Sequence, residues 1–201
     1  MKKVIPEDSV LVPDTAARAF KGMIFDVYQW PQKLFDGSEH TFEMLKRADT
    51  VSVICVVDGK ILVIDDEQPH LGTRQSFPGG RVDPEDATTE AAARREILEE
   101  TGYGFKNWRL IKVRQPYRKV EWFIYVWLAW DTDVKQDPAL DAGEKITVRP
   151  LGFDELKARV MDAESASPQN YLGENRDIFV KVHSLDELLA LTEFTGQSVD
   201  R

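Results

Sequence analysis

The chain has 201 residues, 42% of them hydrophobic and 30% charged, with a formal net charge of −9. That length suits one domain with an appendage and a sizeable core, and the composition is that of a water-soluble globular protein. The acidic balance disfavours a nonspecific nucleic-acid binder, no apolar run approaches the roughly 20 residues that span a bilayer, and the single cysteine, Cys55, excludes an internal disulfide.

The opening stretch, MKKVIPEDSVLVPD, lacks the apolar centre of a secretory leader, so a cytoplasmic protein is expected. Residues 14–30 and 41–48 have mixed patterns that read as strands about a turn at Asp36-Gly37-Ser38. Their aromatic residues, Phe25, Tyr28, Trp30, Phe35 and Phe42, either lie open or cover the chain's own core. So short a segment forms no stable unit alone, and residues 1–48 are taken as an N-terminal β extension to a domain at 49–201. Val51–Val57 and Ile61–Asp65 flank Asp58-Gly59, a dipeptide that favours a two-residue hairpin, with Cys55 as a small buried residue. Phe77–Pro84 reads as a strand running into a tight loop, where Gly79-Gly80 let the main chain approach a ligand.

A helix follows. Thr88 or Thr89 is the N-cap, Ala91, Ala92 and Ala93 favour the helical state, Ile97 and Leu98 supply an apolar stripe, and Gly102 suits a left-handed stop. Beyond it, Trp108–Arg114 and Val120–Trp130 are rich in β-branched and aromatic residues, and Ile146–Arg149 adds a short strand. Phe153–Met161 and Ser184–Phe194 read as helices, the second with Ser184 and Glu187 as a capping box, and the polar stretch Asp162–Gly173 reads as a loop. Strands around one acidic helix, with more helix at the end, predict an α/β (α+β) fold: a mixed sheet covered by helices on both faces.

The acidic helix carries the chemistry. In Ala92–Gly102 (AARREILEETG), residues three and four apart share a face, so Glu96, Glu99 and Glu100 converge while Arg95 braces them from the side. Like charges so close repel, and a hard divalent cation such as Mg²⁺ or Mn²⁺ relieves that repulsion through carboxylate oxygen. The alternative is an ordinary solvated helix face; the glycines above the helix and at its end argue against it. His40, His70 and His183 have no ligand spacing, and zinc is not expected without a Cys/His cluster.

GGRVDPEDATTEAAARREILEETGY resembles the signature of the Nudix hydrolases, which cleave nucleoside diphosphates linked to another group with Mg²⁺ or Mn²⁺. The family pattern is a glycine, five residues, a glutamate, seven residues, Arg-Glu, an apolar residue, any residue, Glu-Glu, any residue and Gly. Gly80, Arg95, Glu96, Ile97, Glu99, Glu100 and Gly102 match their roles. The stretch from Gly80 to Arg95 is one residue longer than the pattern, so the first glutamate's place holds Asp86 or Ala87, and Glu85 or Asp86 could stand in. Residues 28–56 and the segment LDAGEKI at 140–146 resemble the ADP-ribose pyrophosphatase branch.

The resemblance implies the Nudix α/β/α sandwich and hydrolysis of a pyrophosphate bond, with ADP-ribose giving AMP and ribose 5-phosphate. It implies Glu96, Glu99, Glu100 and the Gly79 carbonyl as metal ligands, Arg95 as an orienting group, and Glu144 as general base or a further ligand. It also implies an N-terminal sheet exchanged between the subunits of a homodimer. Trp30 and Arg47 are candidates to sandwich the nucleobase, since aromatic and guanidinium planes both stack on bases, although packing and solvation explain them equally well. Arg74 and the backbone at Gly80 are candidates to meet phosphate, with Arg81 and Arg114 as further cations. The partner is thus a nucleoside diphosphate-linked small molecule, with neither nucleic acid nor membrane. Two competing readings are a Nudix hydrolase of another nucleotide sugar, NADH or an oxidised nucleoside triphosphate, and an inactive ADP-ribose-binding module.

Overall fold

The computed structural model of the chain describes residues 1–69, 72–140, 143, 145–162 and 171–200. Its centre is a mixed sheet of β5 (Thr50–Val57), β6 (Lys60–Gln68), β7 (Gly72–Ser76), β8 (Tyr103–Arg114), β10 (Ile124–Lys135) and β11 (Lys145–Leu151). The order is β11-β6-β5-β10-β8, with β7 on β6 beyond that path. Only the β5–β10 pairing is parallel.

Alternation along these strands divides the core between two faces. Val51, Val53, Cys55 and Val57 of β5, with Tyr125, Trp127 and Ala129 of β10, pack with α1 (Thr89–Thr101) through Ala92, Ala93 and Ile97. The intervening Ile54, Val56, Ile124, Val126 and Leu128 pack on the other face against α2 (Phe153–Met161), α3 (Arg176–Lys181) and α4 (Leu185–Leu189). The expected sandwich is therefore present, with helices on both faces of a mixed sheet. No helix among the described residues is long and apolar enough to cross a membrane.

A second sheet, in the order β2-β3-β4-β9, joins β2 (Ala17–Lys21), β3 (Asp26–Lys33) and β4 (Glu39–Lys46) to β9 (Val120–Glu121). The parallel β4–β9 pair continues into the parallel β5–β10 pair, bridged by Arg47 N–H to the Glu121 carbonyl and Thr50 N–H to the Phe123 carbonyl. The expected strand at 14–30 is two strands, because the chain folds back at Gly22–Phe25, where Asp26 accepts the Gly22 N–H. The expected strand at 120–130 is likewise interrupted at Trp122-Phe123, where the chain passes from one sheet to the other. Both predicted turns form: Asp36 accepts from the Ser38 N–H, and Asp58-Gly59 adopt φ of 48° and 74°.

The remaining differences come from tertiary contacts. At the start of the chain, β1 (Lys2–Ile5) pairs with β12 (Gln197–Asp200) and buries Ile5 against the main core. Phe77–Pro84 is loop rather than strand, the pairing ending with β7 at Ser76. The last helix has its Ser184 cap on the Glu187 N–H but stops at Leu189, because Arg109 reaches across from β8 to the carbonyls of Leu189 and Leu191. Of the expected loop at 162–173, the residues from Tyr171 begin a short 3₁₀ turn, and 163–170 lie outside the described residues.

Gly102 closes α1 in the left-handed region, at φ 73°, and a Cβ there would lie 2.0 Å from the Gln136 carbonyl oxygen. Gly102→Ala combines an unfavourable φ with a backbone clash and is expected to destabilise the protein by about 2 kcal/mol or more in urea unfolding. Wild-type stability in that variant would refute this account of the turn.

Candidate active site

The helix α1 is built as its sequence suggests. Thr88 Oγ1 accepts from the Ala91 N–H at 3.0 Å, and the Gly102 N–H returns to the Leu98 carbonyl at 3.0 Å. Ala93, Ile97 and Glu100 lie on the buried side, so Glu100 is carried inward at 7% exposure while Glu96 and Glu99 stay half-buried. The glycine bend lies above them, fixed to β5 by bonds from Val53 N–H to the Pro78 carbonyl and from Val51 N–H to the Gly80 carbonyl, both 2.8 Å.

Two close approaches require glycine. A Cβ on Gly79, which has φ 144°, would lie 2.2 Å from the Val51 carbonyl oxygen, and one on Gly80 would lie 2.5 Å from the Glu96 carboxyl carbon. Glu100 Oε2 accepts the Gly79 N–H at 2.7 Å, tying bend to helix. A cavity of about 280 Å³ opens between them, lined by Gly79, Gly80, Arg81, Asp83, Arg95, Glu96, Glu99, Glu100 and Ala139.

Arg95 organises the acids. Its guanidinium donates to both oxygens of Asp86 at 3.2 and 2.9 Å, to Glu96 at 3.0 Å, to Glu99 at 3.1 Å and to the Arg81 carbonyl at 2.9 Å. The bond from Arg95, reinforced by the Asp83 N–H, holds the Asp86 carboxyl below its ordinary pKa against the opposing effect of burial. Arg95 is in turn held more firmly protonated by Asp86 and Glu96. The longer loop thus still delivers a carboxylate to Arg95, and that carboxylate is Asp86; Glu85 is exposed.

The donor set suits a hard divalent cation. Four carboxylates, Asp83, Glu96, Glu99 and Glu100, face the cavity against two guanidinium groups. Carboxylate and carbonyl oxygens are the ligands Mg²⁺ and Mn²⁺ prefer. Among the described residues no three such side chains already stand at ligating distance, since Arg95 sits between Glu96 and Glu99 while Glu100 turns to the bend. The Pro78 and Gly80 carbonyls are spent on β5, which leaves the Gly79 carbonyl as the bend's candidate ligand.

Other expected residues lie elsewhere. Arg74 is bound to Asp66 at 2.5 Å across the β6–β7 pair and stacks over Tyr171, so its guanidinium is committed away from the cavity. Arg114 pairs with Glu174. Trp30 packs on Phe42 with ring centroids 5.4 Å apart, whereas Arg47 lies over Trp122 at 4.5 Å and Phe25 at 5.4 Å. Since Trp30 faces Phe42 in the β3–β4 register and Arg47 follows the strand's end, the two are not stacking partners within one chain. Glu144 lies outside the described residues; the approach to it runs beside the site, with the Ala139 N–H on the Glu99 carbonyl at 2.8 Å. Asp49 was not marked by any pattern in the sequence, yet it is 4% exposed and its carbonyl accepts the N–H of Val82 in the loop below the bend.

The NUDIX domain family model matches residues 46–192, and the chain belongs to the Nudix family of hydrolases. No curated protein matches significantly. Among solved structures, an ADP compounds hydrolase is similar at TM-score 0.65 and 16% identity, over 89% of this chain and 95% of that one. A MutT NUDIX hydrolase from Burkholderia pseudomallei gives TM-score 0.44 at 24% identity, over 53% of this chain and 84% of that one. The first similarity supports the fold.

A folded-state pKa lowered at Asp86 stabilises the protein above the unfolded value, about 3.9, and the contribution is lost as pH falls through the folded value. The stability difference between wild type and Asp86→Asn should therefore be full near pH 7 and close as pH drops below about 4. Urea titrations at a series of pH values check this; a difference that grows toward acid would contradict it.

Proposed function

We propose that the protein hydrolyses the pyrophosphate bond of ADP-ribose to AMP and ribose 5-phosphate. The observation that carries this reading is the set of Glu96, Glu99 and Glu100 around a glycine bend, opening on one cavity. Water adds its oxygen to one phosphorus, the bridging oxygen leaves with the other, and the released protons pass to a base and to solvent. Glu96, Glu99, Glu100 and the Gly79 carbonyl would hold Mg²⁺ or Mn²⁺, which when bound neutralises phosphate charge and makes a water more acidic. Arg95 keeps Glu96 and Glu99 in place through a rigid fork that a lysine could not reproduce. Glu144 is assigned as general base or further ligand on the family resemblance alone.

Arg47, half-buried on Trp122, offers a guanidinium plane to a nucleobase. Trp30 could complete the sandwich only from a second copy of the chain, and the surface around it supports a homodimer. Phe20, Met23 and Ile24 at the β2–β3 turn and Leu34 and Phe35 at the β3–β4 turn are exposed apolar side chains that a second copy would cover. A lone buried Cys55, which needs no oxidising compartment, fits a cytoplasmic setting.

Incubating the protein with ADP-ribose, other nucleotide sugars, NADH and oxidised nucleoside triphosphates in Mg²⁺ or Mn²⁺ should release AMP fastest from ADP-ribose. Faster turnover of another compound would replace the substrate, and binding of ADP-ribose without AMP release would favour an inactive module. Glu100→Gln keeps an acceptor for the Gly79 N–H but removes the charge, so kcat should fall at least about 10²-fold with the fold intact. Near-normal turnover in that variant would break the assignment of the helix.

A further inference from the structure

The family match covers residues 46–192, so the β1–β12 ribbon formed by the two ends of the chain lies outside it. The ribbon nonetheless reaches the frame of the site. Ile5 is fully buried in the same core as Val51, Ala92, Ala93 and Ile97. Lys3 Nζ donates to Asp49 Oδ2 at 2.6 Å, with the two side chains 17% and 3% exposed. A carboxylate buried to that degree needs a counter-charge and hydrogen bonds to stay ionised in place. Lys3 supplies the first, and the Phe123 N–H donates to Asp49 Oδ1 at 2.9 Å.

Asp49 is also the joint between the ribbon and the glycine bend. Its carbonyl accepts the Val82 N–H at 2.8 Å. One residue on, Thr50 bridges to Arg81, and next to it the Val51 N–H bonds the Gly80 carbonyl. On this outer side the loop faces a cavity of about 630 Å³, whose walls include Lys3, Asp49, Arg81, Asp83 and Asp86. Packing there is open, so the hydrogen-bonded rungs from Asp49 to Val51 have more of the loop's position to determine.

We propose that Lys3 and Asp49 are a positioning pair, through which the terminal ribbon sets the height of the glycine bend over Glu96 and Glu100. The activity arm of the test rests on the pyrophosphohydrolase reading; the amide-exchange arm does not. Lys3→Met, assayed well below its own melting temperature, should lose at least about tenfold in kcat with KM changed less than twofold. By NMR, its Val51 and Val82 amides should exchange at least about tenfold faster while those of Tyr125 and Leu128 in β10 keep wild-type protection. Lys3→Arg should restore both.

If Lys3→Met fails to fold, the doubly neutral Lys3→Met/Asp49→Asn variant carries the test, since it removes the stranded charge along with the tether. It should fold and still show the lowered kcat and the loosened amides. A fall in melting temperature alone, with kcat and the Val51 and Val82 amides unchanged, would reduce the ribbon to a clasp and overturn the proposal. Full recovery of both readouts in the double variant would do the same. Should wild type prove inactive on every diphosphate while the amides respond as described, the positioning claim stands and only the reaction assignment falls.

Discussion

Arg95 brings one positive charge into contact with four carboxylates, those of Asp83, Asp86, Glu96 and Glu99, and the geometry of the site depends on how that charge is shared. Asp86 accepts from Nε and Nη2, Glu96 and Glu99 both accept from Nη1, and the Arg81 carbonyl accepts from Nη2. The guanidinium is planar and forked, so each bond constrains the direction of the others. Among the described residues, five acids, Asp83, Asp86, Glu96, Glu99 and Glu100, nevertheless surround two cations, Arg81 and Arg95. The excess negative charge remains beside the cavity. A protein that keeps like charges so close needs something further to neutralise them, and an oxygen-ligated divalent cation does so with the least rearrangement.

The glycine bend converts that electrostatic arrangement into a shaped site. Backbone bonds to β5 place it, the Gly79 N–H engages Glu100, and the absence of side chains brings main chain within contact of Glu96. Strand, bend and helix thus form one unit, anchored by a core in which Ile97 and the alanines of α1 pack on alternate residues of β5 and β10. Rigid elements carry the acids, as expected where positioning and charge stabilisation supply most of the rate.

How much was legible in the sequence follows from the range of each interaction. The helix α1 was readable because its cap, its alanines and its glycine stop are all local, and the site acids follow from its periodicity. The strands β5, β6 and β10 were readable because burial on two faces leaves long runs of β-branched and aromatic residues. The β1–β12 pairing was not, since it joins opposite ends of the chain without a local signal. Neither was the early end of α4, which is set by Arg109 from a distant strand. Arg74 illustrates the same limit: its closeness to the glycine loop in sequence suggested a phosphate contact, while its register opposite Asp66 commits it to an ion pair. The spare residue in the signature loop was ambiguous by counting alone; the choice of Asp86 depends on which carboxylate the folded loop turns toward Arg95.

The most direct test is a titration with Mn²⁺ followed by electron paramagnetic resonance, comparing wild type with Glu96→Gln under conditions where both are folded. The crowded acids predict saturable binding in wild type, weakened at least about tenfold when the Glu96 charge is removed. Absence of saturable binding in wild type, or equal affinity in the two proteins, would contradict the claim that this cluster is held together to receive a cation.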